Sequence, residues 1–345
     1  MTTTNRQIVL KSRPEGWPAP GNFEMREAPL PEIADGDVLV RALYMSLDPY
    51  MRSRIGTDRP PADRMPLDSP MEARVVGRVA ASRHPDYREG DLVFGSLDWA
   101  DYSVAVGAKN LRPLPDARYD GKPVPLAWHL GALGLPGMTA WIGVETATPV
   151  AGETLFVSAA SGAVGQVVGQ IAKIRGLRAV GSAGTDAKVD FLTNDLGFDA
   201  AFNYKTATPD ILSALQGCAP DGVDIYFDNV GGVMLEAALD AANLRARIIA
   251  CGMISQYNLA RDETPGVRNL THINRKRIRM QGIGVSDHDH RQDEFLTEMA
   301  GWLASGRVTY RVDVADGLEN APAAFVAMLR GENFGKQVVK IADEA

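Results

Sequence analysis

Glu153-Thr154-Leu155-Phe156-Val157-Ser158-Ala159-Ala160-Ser161-Gly162-Ala163-Val164-Gly165 is the stretch that decides the fold. Its first half is an apolar run of strand length, and its second half is a turn made of small residues. Beyond it, Val164, Val168, Ile171 and Ala172 recur on one helical face. Strand, tight turn and helix form a βα unit. From Ala160 to Gly165 the turn fits the small-x-Gly-x-x-Gly pattern, with alanine where a glycine usually stands first. The chemistry demands such residues. A large side chain at the first position, or any at Gly162, would hold the backbone away from a pyrophosphate seated on the helix N-terminus, and Gly165 allows helix and strand to pack closely. Ser161, Gly162, Ala163, Val164 and Gly165 are therefore the expected phosphate contacts. The competing reading, a tight turn without a ligand, is disfavoured by the periodicity on both sides.

Working outward, strand-like runs follow at Arg178–Ser182, Ala201–Asn203, Val223–Asp228, Arg247–Gly252 and Arg279–Gly284. Helix-length segments such as Asp186–Leu196 and Met234–Ala242 lie between most of them. Six strands alternating with helices predict a parallel, doubly wound α/β sheet of the Rossmann type, because parallel strands need crossovers of this length. Residues 20–115 have a different texture. Short runs such as Val38–Ala42 and Val75–Val79 are broken by Pro, Gly and Asp, which suits a small β barrel or sandwich. Between 125 and 142, the apolar residues and Gly134-Leu135-Pro136-Gly137 predict a helix, a break, and a second helix from Thr139. The tail from Tyr310 to Ile341 is β-like, with a helix at Ala321–Leu329, and is expected to return to the first domain. The expected division is 1–127 with 309–345 as one domain and 128–308 as the dinucleotide-binding domain.

At 345 residues the chain exceeds a single core's usual size. The opening MTTTNRQIVLKSRPEG lacks the apolar core of a signal peptide, and no run suits a membrane span, so a cytoplasmic protein with no membrane partner is expected. Cys218 and Cys251 are the only cysteines, too few for a disulfide framework or a four-thiolate zinc. A net charge of -7 argues against nucleic acid as a partner. Within that acidic chain, Arg275-Lys276-Arg277-x-Arg279 reads as a solvated helix-to-strand edge. His288-x-His290, between Asp287 and Asp289, lacks a distant third ligand, so no metal site is expected.

A Rossmann domain selective for NAD normally ends its second strand with a carboxylate that takes the ribose hydroxyls. Here Arg178-Ala179-Val180 runs into Gly181-Ser182-Ala183-Gly184 with no acid. Asp186, beyond it beside Thr185, is better explained as part of a helix cap. Lys188 in the first helical turn can meet a 2′-phosphate as a point charge, its alternative being a solvated surface lysine. Together these predict NADP.

Further runs carry a resemblance: Arg13-Pro14-x-Gly16, Ser46-Leu47-Asp48-Pro49-Tyr50-Met51-Arg52, Val75–Val79, Gly134-x-x-Gly137-x-Thr139-Ala140 and Ala159–Gly169. To these add Phe202-Asn203-Tyr204-Lys205, Phe227-Asp228-Asn229-Val230-Gly231-Gly232, Cys251-Gly252-x-Ile254-Ser255-x-Tyr257-Asn258 and Asn333-Phe334-Gly335-Lys336. Over essentially its whole length the chain resembles the zinc-independent medium-chain dehydrogenase/reductases, in particular prostaglandin reductases and bacterial curcumin reductase. The resemblance implies a GroES-like catalytic β-barrel domain split across both termini. It also implies reduction of the carbon-carbon double bond of α,β-unsaturated ketones and aldehydes, so the expected partner is a small-molecule enone. Carried over by position, Lys188 and Tyr204 belong to the 2′-phosphate region, Gly184 is a further cofactor contact, Asn229, Cys251 and Gly252 line the cofactor, and Asn333 reaches it from the tail. Tyr257 falls near the nicotinamide and the substrate carbonyl.

Zinc enzymes of the same superfamily carry Cys, His and Glu ligands and a four-cysteine lobe. At the matching places this chain has Leu47-Asp48-Pro49-Tyr50 and Met71-Glu72-Ala73-Arg74, with no cysteine lobe. Without three protein ligands there is no Lewis acid to polarise a carbonyl. Alkene reduction can manage with hydrogen-bond donors on the carbonyl oxygen, for which Tyr257 is the first candidate and Tyr50 the second. Both have a structural alternative, a buried phenol bonded to backbone or packed between domains; Arg52 reads as an internal ion-pair partner. Two other readings stay open: a quinone or carbonyl reductase, and an NADPH-binding protein without turnover. Ile283–His290 departs from the family pattern, leaving the substrate side of the pocket undefined. The edge strand Arg279–Gly284 is a plausible junction for a homodimer.

Overall fold

The computed structural model describes residues 4–344 apart from 58 and 261. It divides into two compact units. One comprises residues 1–116, 125–130 and 312–345; the other comprises residues 117–124 and 131–311.

The second unit holds the dinucleotide-type sheet. Its strands, in chain order, are Thr154–Val157, Arg178–Ala183, Ala200–Asn203, Val223–Asp228, Ala242–Ala250 and Arg279–Gly282. They pair in the spatial order third, second, first, fourth, fifth, sixth, all parallel. The reversal beside the first strand is the topological switch point of a doubly wound sheet. Every residue of Thr154–Val157 is buried, as a central strand covered on both faces requires. Phe156 stacks on Phe202 and on Tyr226, which ties the first, third and fourth strands into one core.

Several elements differ in extent from the sequence expectation. The expected break at Gly134–Gly137 is instead a helix start, because the helix runs Leu135–Thr146 with Pro136 in its first turn, where a missing N–H costs nothing. Gly137 is required there by contact rather than by a turn: a methyl would lie 1.8 Å from Ala132 O. The helix expected before it is a short turn, Leu126–Leu130. The fifth strand begins at Ala242, ahead of the expected Arg247, because Asn243 and Arg245 break its apolar pattern without ending it.

Among the described residues, the first unit holds a seven-stranded sheet, mostly antiparallel, and an antiparallel pair of strands, Thr4–Leu10 and Phe23–Pro29. Its long strand Val38–Ser46 pairs along one side with Glu72–Ser82. On the other it pairs first with Tyr102–Ala105 and then with Lys336–Lys340. Irregularities between Leu39 and Val40 and between Ala42 and Tyr44 let this strand bend. A bent strand serving two sets of neighbours curls the sheet around a core of Leu10, Met45, Leu47, Trp99, Phe325 and Val339. The helix Ala321–Leu329 and the strands Val312–Asp316 and Lys336–Lys340 return in the tail as expected. Among the described residues, no helix is long and apolar enough to cross a membrane.

Candidate functional site

The turn after the first strand is rigid for reasons visible atom by atom. Ala160 donates its amide to Ser182 O at 2.9 Å, which fastens the turn to the end of the second strand. Ala159 adopts φ +49°, bringing Gly162 N to 2.9 Å from Ala159 O. The helix then runs Gly165–Ile174. A methyl on Gly165 would lie 2.5 Å from Ala159 O and 2.6 Å from Ala160 Cα, so helix and turn meet backbone to backbone. A side chain on Gly162 would come within 3.1 Å of Ala159 O. The methyl of Ala160 faces the sheet, against Gly181, which explains how alanine replaces the first glycine without obstructing the turn. Tyr310 holds the turn from outside by donating its hydroxyl to Ala163 O at 3.0 Å. Such a cradle of small residues at a helix N-terminus suits a pyrophosphate.

One strand over, Ala183-Gly184 ends the second strand and Thr185 caps the helix Asp186–Asp190, its hydroxyl accepting from Lys188 N at 3.3 Å. Lys188 is 8% exposed, so it is not a solvated surface lysine. Tyr204 is half-exposed; its ring and hydroxyl would lie 3.2 Å from a methyl on Gly184. The structure thus brings Gly184 and Tyr204 into contact where the second and third strands end, with Lys188 buried in the first turn of the helix that follows Gly184.

The fourth and fifth strands end in a buried polar network. Asp228 Oδ1 accepts from the Tyr226 hydroxyl at 2.7 Å, Val230 N at 2.9 Å and Gly231 N at 2.8 Å. Its backbone carbonyl accepts from Cys251 N and Gly252 N. Ser158 accepts on Oγ from Asn229 N and on its carbonyl from Asn229 Nδ2, at 3.0 and 2.8 Å. The Asn229 side chain is thereby fixed with its amide inward. Burial pushes the Asp228 carboxyl above the usual carboxylate range, against the bonds that lower it. Burial, and then Asp228, push the Cys251 thiol up to about 12, so it stays protonated. The Tyr257 hydroxyl accepts from Met253 N at 3.3 Å and would lie 3.0 Å from a methyl on Gly252. Asn229, Cys251, Gly252 and Tyr257 therefore gather at one end of the sheet.

Tyr50 and Asn333 belong to the other unit. Tyr50 is half-buried, its phenol raised to about 12 by burial first and Asp48 second, and Asn333 donates to Gly335 O at 2.7 Å. Arg52 is buried and donates to Gly16 O at 2.6 Å, which joins two of the motifs quoted above. The basic run does more than meet solvent. Lys276 donates to Leu239 O and Asp240 O, and Arg279 to Thr146 O, so each covers carbonyls at a helix C-terminus. The rings of His288 and His290 lie 6.4 Å apart. Among the described residues, no three His, Cys, Asp or Glu side chains gather as a metal site. Sequence reasoning missed Ser158, Tyr226 and the Asp228 carboxyl as the frame of the site. Their only signal was polarity inside two strands that otherwise read as core.

A doubly wound sheet with a small-residue cradle at its switch point defines a dinucleotide-binding domain. The comparisons agree. Residues 6–114 match the N-terminal domain of oxidoreductase family, and residues 163–304 match a family described as zinc-binding dehydrogenase. The chain is 45% identical to the NADP-dependent 2-alkenal reductase of Nicotiana tabacum, with 99% of this chain and 98% of that protein covered. It is 42% identical to the NADPH-dependent curcumin reductase of Escherichia coli K12, again over 99% and 98%. Among solved structures, CurA of Vibrio vulnificus in complex with NADPH superposes with a TM-score of 0.90 at 40% identity, covering 98% of this chain and 99% of that one. The chain belongs to the medium-chain dehydrogenase/reductase family, in the group of the alkenal, curcumin and prostaglandin reductases.

Proposed function

We propose that this protein is an NADPH-dependent reductase of the carbon-carbon double bond in α,β-unsaturated ketones and aldehydes. The observation that carries the reading is the cradle at Ala160–Gly165, where side chains at Gly162 and Gly165 would meet backbone, together with Gly184, Lys188 and Tyr204 at the neighbouring strand ends. NADPH, when bound, supplies the hydride. Ser161–Gly165 would hold its pyrophosphate, Lys188 and Tyr204 its 2′-phosphate, and Asn229, Cys251 and Gly252 the remainder. Tyr257 would hold the substrate's carbonyl oxygen as negative charge develops there. We further infer zinc independence. Leu47-Asp48-Pro49-Tyr50 and Met71-Glu72-Ala73-Arg74 offer no His–Cys ligand set, and Cys218 and Cys251 are the only thiols in the chain.

The deciding experiment follows a simple enone with deuterium-labelled NADPH, run with and without a zinc chelator. Deuterium on the β carbon of the saturated ketone, at equal rate in both, is expected. Deuterium on the former carbonyl carbon of an allylic alcohol would overturn the alkene reaction, and loss of turnover on chelation would overturn zinc independence. Replacing Tyr257 by Phe should lower kcat by about one to two decades while leaving NADPH affinity in place, because it removes one donor from the oxygen that gains charge. An unchanged kcat removes Tyr257 from the chemistry.

A further inference from the structure

The adenosine end of the site contains a carboxylate that should not be there. Asp186 is exposed, in the first turn of the helix that also carries Lys188. Asp186 stands beyond the strand-end position from which a carboxylate takes ribose hydroxyls, but its charge in the helix's first turn would repel a 2′-phosphate. The structure shows what restrains it. Asn203, the last residue of the third strand, donates Nδ2 to Asp186 Oδ1 at 2.7 Å. The other side of the same amide, Oδ1, accepts from Lys205 N at 3.1 Å. That second bond shapes the turn Tyr204-Lys205, whose start is fixed by Tyr204 N donating to Ala183 O at 3.0 Å. As a result the Tyr204 ring and the Lys205 Cε both pack on Gly184, 3.2 and 3.3 Å from where a methyl would sit.

We propose that Asn203 is a cofactor-specificity residue, which selects a 2′-phosphorylated adenosine by turning Asp186 toward the third strand and holding Tyr204 and Lys205 on Gly184. It acts through its neighbours and is a positioning residue. The inference rests on the NADPH reading above. Its logic is that one neutral amide satisfies the acid with a donor and orders the turn that carries two phosphate-facing side chains. An amide does both from separate atoms, donating from its nitrogen and accepting on its oxygen. Lys205 adds a positive charge on a stem that packs on Gly184, and the sequence placed it directly after Tyr204 without marking its role.

The test measures binding of adenosine 2′,5′-bisphosphate and of adenosine 5′-diphosphate by calorimetry, alongside kcat/KM for NADPH and NADH. The proteins are the wild type, Asn203→Ala, Asp186→Ala and the double variant. In Asn203→Ala, with Asp186 released, the ratio of 2′,5′-bisphosphate to 5′-diphosphate affinity should fall about fivefold or more, and the NADPH to NADH ratio should fall with it. Adding Asp186→Ala should recover most of that ratio, because the released charge is then absent. An undiminished ratio in Asn203→Ala overturns the proposal, as does a loss that Asp186→Ala does not repair. The thermal midpoint of each variant separates these outcomes from misfolding; should Asn203→Ala unfold, Asn203→Leu, of similar volume and with neither donor nor acceptor, takes its place with the same pairing. Failure of the underlying reading is distinguishable, since the wild type itself would then show no preference for the 2′-phosphorylated ligand.

Discussion

His129 illustrates how one side chain can be chemically conspicuous without touching the site. It lies in the first unit, 4% exposed, and its Nδ1 is buried with no hydrogen-bond partner. Burial, and secondarily the charge of Arg112, push its pKa down to about 4. The unfolded imidazole titrates near 6.5, so above that pH both states are neutral and its contribution is complete. As pH falls below about 6.5 the unfolded chain takes a proton that the folded protein refuses, and stability drops until about pH 4. The two values imply a loss of about 2 kcal/mol between pH 7.5 and pH 5. Urea denaturation at those two pH values should show that loss in the wild type and a drop smaller by about the same amount in His129→Gln. Equal drops would assign the acid sensitivity elsewhere. Residue identity also marks the limit of what the sequence could convey. Lys188 was legible as a cation in the right turn, but its burial was not, because a long aliphatic stem permits either fate. Asp228 and Tyr226 read as interior strand residues, and only their meeting with Ser158 from another strand reveals a network.

Elements were most legible where a period repeats and least where a single residue decides. The six parallel strands and the helices Gly165–Ile174, Gly232–Ala241 and Ala321–Leu329 follow from runs of buried apolar residues that any register would reproduce. The start of the helix Leu135–Thr146 was misplaced because Gly134, Pro136 and Gly137 carry turn signals that helix N-termini also use. Close backbone contacts could not be read from the sequence at all, since glycine spacing does not state what lies opposite. At the cradle that contact is now specific. Gly165 sits where a methyl would meet Ala159 O at 2.5 Å and Ala160 Cα at 2.6 Å, and neither is a side chain that can swing aside. Gly165→Ala must therefore push the helix from the turn, which overpacks a rigid contact and costs about 1 to 3 kcal/mol. Thermal denaturation should register the loss, and fluorescence titration should show weaker NADPH binding. Gly301, exposed in the helix Gln292–Ala304 with nothing within 4 Å of a methyl, provides the control, as alanine there should be neutral or mildly stabilising. Normal NADPH affinity in Gly165→Ala would show that the cradle tolerates displacement.

At the scale of the whole chain, the first unit is assembled from sequence segments far apart, and a buried ion pair marks the junction. Lys336 is 1% exposed; its Nζ donates to Asp48 Oδ1 and to Leu47 O, both at 2.6 Å. Asp48 accepts a further bond from Ser46 Oγ on its other oxygen. These contacts sit where the strand Lys336–Lys340 lies antiparallel to the end of Val38–Ser46, with Val338 opposite Ser46. The two residues stand 288 apart in sequence, so pairing them closes a large loop that encompasses the entire second unit. Burial lowers the Lys336 pKa, and the charge and hydrogen bond of Asp48 oppose that shift. Both ends appeared in the sequence as matched runs, yet nothing in either run indicated its partner. A buried pair of this kind is costly to break, because removing one member strands the other without water. Lys336→Met should therefore destabilise the protein by about 3 to 5 kcal/mol. The double variant Asp48→Leu with Lys336→Met should recover a large part of that loss, since apolar groups of similar volume replace both charges. Chemical denaturation of the two single variants and the double gives the coupling directly. If the double variant is no more stable than Lys336→Met alone, the single-variant loss reflects packing of the lysine stem rather than an abandoned charge. If Lys336→Met costs less than about 1 kcal/mol, the pair does not secure the closing strand.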